Sequence, residues 1–352
     1  MEIGAIVKSL DPSVVAANPE EAAAKGELDA LLYERRDEDG AFVGTAGSGA
    51  FRVSEWEAGK RAVFAANEDY REGRPFVDSI EIQMGRSAHD RVLDLELSKT
   101  DFAQIPAEFA RQAADRGVRV SASQPNELLA LVFLKGPAAT ENARVREAIA
   151  RCIDRAAIVN FILQKEGEPA GGLLPQWSSG TAFLFSTETD ARGAKEISSQ
   201  IPPTPKLVLG YDSADTLEQS VAERIVVNAK EAGISLVSRG MPSPGTASTI
   251  HVDARLVRLR MPSPVPSVSL ASFIATLGPL AGFDAHPIAE NAPVEDVYSR
   301  ERSIMKSGLV VPLVWLPQVY GLSARVRDWK QPPAGESWPL ADVWLDSTEE
   351  AH

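Results

Sequence analysis

Three glycines fall within six residues at the start of GTAGSGAFRVSEW, residues 44–56. Such a stretch can cradle a phosphate when it joins a strand to a helix N-terminus, where backbone donors and the helix dipole face the anion. Here the glycines lead into FRVSEW, which reads as a strand. The spacing is not G-x-G-x-x-G, and no G-K-[ST] follows. The stretch is therefore read as a joint feeding a strand.

Metal chemistry finds no better footing. His89, His251, His286 and His352 include no pair at i, i+3 or i+4. His89, Asp90 and Asp94 could share one helix face in SAHDRVLDLE (87–96), where a charged surface is the expectation. Cys152 is the single cysteine. It can form neither an internal disulfide nor a cysteine zinc site, and its apolar helical setting predicts a buried structural thiol. No G-x-S-x-G elbow occurs. No acid–base or nucleophile set emerges, so the expectation is a protein that is not an enzyme, without metal or cofactor.

What remains is suited to binding. Trp177 lies in a Gly/Pro/Ser loop and Trp315 ends an apolar strand, places where aromatics line ligand clefts or pack a core. Arg258 and Arg260 alternate in RLVRLR (255–260) and share a strand face. They could meet a ligand carboxylate bidentately; a solvated strand face is the competing reading.

The elements that must position these residues follow from pattern. EIGAIV (2–7) predicts a short strand. NPEEAAAKGELDALLYE (18–34) predicts a helix, with Asn18 as cap and Pro19 in the first turn. FRVSEW, RAVFAAN and DSIEIQM predict three strands. Residues 87–117 read as a charged helical segment. VRVSA (118–122) predicts a strand, and NELLALVFL (126–134) a strand covered on both faces. Val145, Ala148, Ile149 and Cys152 recur at helical spacing, and Asp154 is placed to cap a second helix. PKLVLGYD (205–212), the helix at 216–234 and ISLV after it form a strand–helix–strand unit with parallel pairing. Proline clusters at 202–205, 242–244 and 262–266 mark loops. The last helix spans 294–308. Residues 309–316 form a strand in which Pro312 indicates an edge or a crossing point.

The chain has 352 residues and a net charge of −13. That length predicts two domains or lobes. The acidic balance argues against nucleic-acid or anionic-membrane partners. No apolar run approaches the roughly 18 residues of a membrane span. MEIGAIVKSLDP shows no basic n-region followed by an apolar h-region, so no signal peptide is expected in this chain.

Taken in order, these segments resemble a known family. SLDP (9–12) and LLYE (31–34) resemble the mature N-terminus of the extracellular solute-binding proteins of ABC transporters, in the dipeptide-, oligopeptide- and nickel-binding group (family 5). GSGAF (47–51) resembles its G-T-G-P-F/Y segment, with Ala50 for proline. Trp56 and NEDYREGRPFVDSI (67–80) resemble its N-x-D-Y-W-x-G-x-P-x-x-D-x-I stretch, with Arg71 for tryptophan. VREAIARCIDRAAIV (145–159), GEPAGGLLP (167–175) and VPLVWLPQVYGLSARVRDW (311–329) resemble its helix pair, the loop after it, and the return strand.

The resemblance implies an α/β, two-lobed periplasmic-binding-protein-like (class II) fold. Lobe I would be discontinuous, 1–125 and 317–352, with lobe II, 126–316, inserted. Larger members carry an extra lobe I subdomain before the Gly-rich joint; RRDEDGAFVGTA (35–46) is too short for one. Asn126, Trp177, Arg258, Arg260, Trp315 and Tyr320 would line the cleft, from crossing strands or lobe II loops. Peptide-binding members pair an acid in a D-x-x-D-P-like loop with the peptide amine. The matching region, 255–273, has no acid, and its arginines imply an anionic group instead. The implied role is capture of a small-molecule or peptide-like solute by hinge closure, for delivery to ABC permease subunits. The protein would be a monomer, periplasmic or extracellular, and peripheral to the membrane. The rival expectations are a ligand-sensing module of a transcriptional regulator, without transport, and a degenerate receptor that binds nothing.

Overall fold

The computed structural model describes residues 33–36, 42–46, 48–179, 185–201, 205–242, 250–286, 288–336 and 338–346, the first two stretches as backbone. The expected strand at 2–7 and most of the expected helix at 18–34 lie outside the described residues.

The described chain opens with Tyr33–Arg36 (β1) paired antiparallel to Phe42–Ala46 (β2), with Arg35 opposite Gly44. Tyr33 and Glu34 are thus strand rather than the end of a helix, and 35–46 is more than a short joint. Tyr33, Phe42, Val43 and Thr45 are strand-favouring types, and their pairing overrides the helical pattern upstream. Next come Phe51–Glu57 (β3), Arg61–Ala66 (β4) and Ser79–Gln83 (β5), an antiparallel sheet in that order. Its strands match the sequence expectation. Asn67 is buried and explains the N-E-D-Y stretch. Its Nδ2 donates to the Gly49 carbonyl at 2.8 Å, and its backbone N–H donates to Ala50 at 2.9 Å. The amide so ties the Gly-rich stretch to the turn after β4.

Residues 87–117 are not one helical segment. Ala88–Glu96 (α1) is capped by Ser87, whose hydroxyl accepts from Asp90 N–H. Ser98 then turns the chain at φ 51°, Phe102–Ile105 (β6) enters a sheet, and Ala110–Asp115 (α2) follows. Arg119–Phe133 (β7) runs unbroken through Pro125, joining the two strands expected there.

After β7 come Ala138–Glu141 (α3), Ala143–Cys152 (α4) and Arg155–Ala157 (α5), which continues as a π-type turn at 158–162. Asp154 caps α5 as expected, accepting from Ala157 N–H at 2.9 Å. Glu168–Pro169 (β8), Gln176–Ser179 (α6) and Ala191–Ser199 (α7) precede Lys206–Asp212 (β9), Thr216–Glu231 (α8) and Ser235–Met241 (β10). β9 and β10 pair in parallel, Lys206 beside Ser235, as the strand–helix–strand pattern predicts. Then come Ala254–Arg260 (β11), Pro266–Ala281 (α9), Val294–Ser307 (α10), Val310–Leu322 (β12), Val326–Arg327 (β13) and Trp344–Leu345 (β14).

The largest sheet runs β10-β9-β11-β7-β12-β6, with β8 also on β12. β7 shows why NELLALVFL is apolar throughout. Leu129, Leu131 and Phe133 enter one core with α4 and α8; Leu128, Ala130 and Val132 enter another with α9 and α10. Successive side chains point to opposite faces, so a strand buried on both must be apolar at every position. Burying one Leu or Phe fully is worth about 1.5–3 kcal/mol. β12 has neighbours on both sides, so Pro312 marks a crossing strand and not an edge. Its carbonyl accepts from Arg155 Nε at 2.8 Å.

By contact the chain forms two compact units. One is drawn from 1–103, 321–331 and 338–352, the other from 104–320 and 332–337. The chain passes from one to the other inside β6 and again inside β12. Among the described residues, no helix is long and apolar enough to cross a membrane.

Candidate ligand-binding site

The polar residues of interest gather in the larger unit, where β7 and β11 lie side by side. Antiparallel register sets Arg260 opposite Glu127 and Arg258 opposite Leu129. Arg258 shares its strand face with Ala254 and Leu256, which belong to the α4/α8 core. At its position that core gives way to the N-terminus of α8. Glu127 accepts from Arg258 Nη1 at 2.6 Å and from Arg260 Nη2 at 3.1 Å. Arg258 Nε lies 2.7 Å from Asp215 Oδ2, a charge contact not aligned for a hydrogen bond. Asp215 is already the cap of α8, accepting from the N–H groups of Leu217 and Glu218. Glu218 lies 3.9 Å from Arg258 Nε, and its other oxygen accepts from Asp212 N–H at 2.8 Å.

Burial and charge act in opposite directions here. Burial pushes the Glu127 carboxyl up, but the guanidiniums of Arg258 and Arg260 outweigh it and hold the group below the usual range. Burial favours loss of the Arg258 proton, yet Glu127 and Asp215 reverse that and raise its pKa. Glu218 keeps the burial effect, with Asp215 and Asp212 adding to it, and is pushed up to about 7. Burial likewise raises Glu108.

Asn126 adjoins this network from β7 and is 2% exposed. Its Nδ2 lies 3.2 Å from the Gln318 side-chain amide of β12. With that amide turned by half a rotation, its oxygen sits 3.2 Å from both Nε and Nη1 of Arg260, matching acceptor to donors. Trp177 of α6 donates through Nε1 to the carbonyl of Pro125, beside Asn126, at 2.8 Å. The structure so brings together four of the residues singled out by sequence: Asn126, Trp177, Arg258 and Arg260. Trp315 stands apart. It is 3% exposed and packs in the α9/α10 core, its ring 6.4 Å from Phe273. Tyr320 is buried within β12.

Glu127, Gln318, Asp215 and Glu218 are the members that sequence reasoning missed. Glu127 carried a signal: it is an acid opening an otherwise apolar run. Asp215 carried another as a cap before a helical pattern. Among the described residues, no group of three or more His, Cys, Asp and Glu is placed to hold a metal ion. The arrangement can present amides, an indole and a charge-balanced ion network to a polar solute.

Comparison with known proteins identifies the family and the fold. Residues 12–291 match the family of bacterial extracellular solute-binding proteins, family 5 Middle. The chain belongs to this family. Its members are substrate-binding proteins rather than enzymes. Oligopeptide-binding protein AppA of Bacillus subtilis is 29% identical over 136 residues, covering 35% of this chain and 23% of the relative. Protein XP55 of Streptomyces lividans is 25% identical over 227 residues, covering 60% of this chain and 42% of the relative. The matches therefore span less than half the length of these relatives.

Among solved structures, NikA from Brucella suis in complex with Fe(III)-EDTA superposes with a TM-score of 0.73 at 16% identity, over 88% of this chain and 70% of that one. CtaP from Listeria monocytogenes gives 0.70 at 16% identity, over 85% and 67%. The fold is thus the two-lobed α/β, class II arrangement of periplasmic substrate-binding proteins.

Proposed function

We propose that this chain is the solute-capturing component of an ABC-type importer, closing on a peptide-like or other small ligand and delivering it to permease subunits. The observation that carries the reading is the family match over 12–291. Two compact units joined through strands β6 and β12 agree with hinge closure, in which ligand contacts favour the closed form. On this reading the lobes are 1–125 with 317–352, and 126–316. On the same reading the protein acts as a monomer in the periplasm or outside the cell, peripheral to the membrane; the Escherichia coli relative DdpA is named a probable periplasmic protein. Asn126, Trp177, Arg258 and Arg260 form the polar end of the binding surface, with Gln318 and Glu127 beside them. Trp315 and Tyr320 are buried and lie outside this polar cluster.

The ligand class is open to a direct experiment. AppA of Bacillus subtilis is described in complex with a nonapeptide, and NikA of Staphylococcus aureus with Ni(L-His)2. Calorimetry against short peptides, sugars and metal–histidine chelates should give saturable binding for one class. Binding should weaken in Asn126→Ala and Arg260→Ala. Absence of binding across all three classes, with the fold intact, would overturn the transport reading. It would favour a receptor without a ligand. One observation points that way: the charges of both arginines are already paired by the chain's own acids, Glu127 for both and Asp215 for Arg258.

A further inference from the structure

Glu301 of α10 lies inside the larger unit and is 3% exposed. Its contacts are with backbone. Oε1 accepts from Leu173 N–H at 2.5 Å and from Leu174 N–H at 2.9 Å. Burial pushes the carboxyl up, and these two donors oppose that; among the described residues no cation pairs with it. A carboxylate taken out of water without a cation is costly and is held in place only by its hydrogen bonds. The two amides depend on it equally, since a buried N–H left without a partner is costly as well.

The backbone held by Glu301 is one continuous run within the larger unit. It starts at the sheet, where Ala170 N–H donates to the Leu313 carbonyl of β12 at 2.9 Å. Gly171 and Gly172 then pass where no side chain fits. A Cβ on Gly171 would meet the Phe185 carbonyl oxygen, and one on Gly172 would stand 2.6 Å from Glu301 Oε1. Leu173 and Leu174 enter the α9/α10 core. The Pro175 carbonyl opens α6, accepting from the N–H groups of Ser178 and Ser179 at 3.1 and 3.0 Å. From α6, Trp177 Nε1 reaches the Pro125 carbonyl of β7 at 2.8 Å, and Ser178 Oγ reaches that of Pro264 at 3.0 Å. A helix of four residues has no stability of its own, so its place is set by the chain that enters it.

We propose that Glu301 is a positioning residue: by fixing the amides of Leu173 and Leu174 it aims α6, and with it Trp177, at the Asn126 end of β7. Packing alone does not do this. Two buried leucines set the depth of the loop, whereas one oxygen shared by two successive N–H groups also sets the orientation of both peptide planes. The glycines before them let the loop come close enough for that oxygen to serve both. The inference rests on the reading that Trp177 belongs to the binding surface. Its geometry concerns the chain without a solute.

The test reads amide hydrogen exchange and acrylamide quenching of Trp177, both without ligand. The Trp177 signal is taken as the difference between each variant and its Trp177→Phe counterpart. Glu301→Ala should speed exchange of the Leu173 and Leu174 amides by about tenfold or more and raise Trp177 quenching. Glu301→Gln keeps an oxygen for the two amides and should restore both readings to the parent values. Val297→Ala opens the same core from the same helix and should leave Trp177 quenching unchanged. Parent values for Glu301→Ala would overturn the assignment. So would faster exchange without greater quenching, failure of Glu301→Gln to restore either reading, or a rise for Val297→Ala equal to that of Glu301→Ala, which would mark general loosening. Should Glu301→Ala lose cooperative unfolding, Gly172→Ala decides, because its methyl group meets Oε1. Faster exchange with greater quenching then supports the assignment, and any other result refutes it. Solute binding enters none of these readings, so the calorimetric screen remains the separate test of solute capture.

Discussion

In the smaller unit, Arg74 holds Glu68 at 2.8 Å and also contacts Asp78, with side chains 38%, 69% and 88% exposed. In the larger unit, Arg258 holds Glu127 at 2.6 Å with side chains 30% and 12% exposed. The charges and distances are alike, but the surroundings are not. Exposed pairs exchange one good solvent for another, and their median worth is close to nothing. The Arg258 cluster has given up much of its water, so each member depends on the others, and removing one leaves a charge stranded. Ionic contacts in the first region describe a surface; in the second they determine which side chains hold still.

The sharpest way to test this contrast begins with the core beside the cluster. Phe133→Ala, at the end of β7, should cost about 3–5 kcal/mol in chemical denaturation. A loss below 1 kcal/mol would mean that the two-sided core is not what stabilises the larger unit.

The next effect is one of pH. Glu218 has its folded pKa raised to about 7 from an ordinary value near 4.5. The folded state therefore binds the proton more tightly than the unfolded chain does. Its favourable contribution is fully present below the unfolded value, declines as pH rises, and is lost above about 7. The span is on the order of 3 kcal/mol at most. Glu218→Gln keeps an oxygen for Asp212 N–H and cannot ionise. Relative to the parent it should gain stability between pH 5 and pH 8, and an unchanged difference would show that Glu218 titrates normally.

Glu127→Gln should cost about 1–3 kcal/mol at neutral pH, because Arg258 and Arg260 lose their shared carboxylate. The smallest effect belongs to Arg74→Ala, whose denaturation midpoint should match the parent within error. If Arg74→Ala and Glu127→Gln destabilised equally, burial would not be what separates the two regions.

Much of the larger unit was legible as pattern. The β9–α8–β10 repeat of apolar periods, the cap at Asp154 and the run in β7 each express a local rule. What escaped notice was long-range or disguised. Arg260 meets Glu127 through a strand register, and no local period encodes the pairing of residues 133 apart. α9 was hidden behind a proline cluster, although Pro266 stands at its first turn, where proline is favoured. β6 sat within a charged stretch too short to show alternation. β1 was masked by helix-forming residues before it. For the site, residue types were visible but their allegiance was not: Arg258 looks free in sequence and is committed to acids from β7 and α8.

One strand sets a limit on how this protein can diverge. β7 delivers alternate residues to two separate cores, so its sequence can drift in residue type but not in length. A single inserted or deleted residue within 128–133 would exchange the occupants of both cores at once and carry Glu127 or the arginine pairing out of register. Relatives that differ widely elsewhere should therefore align across this stretch without a gap, whatever ligand they have come to bind.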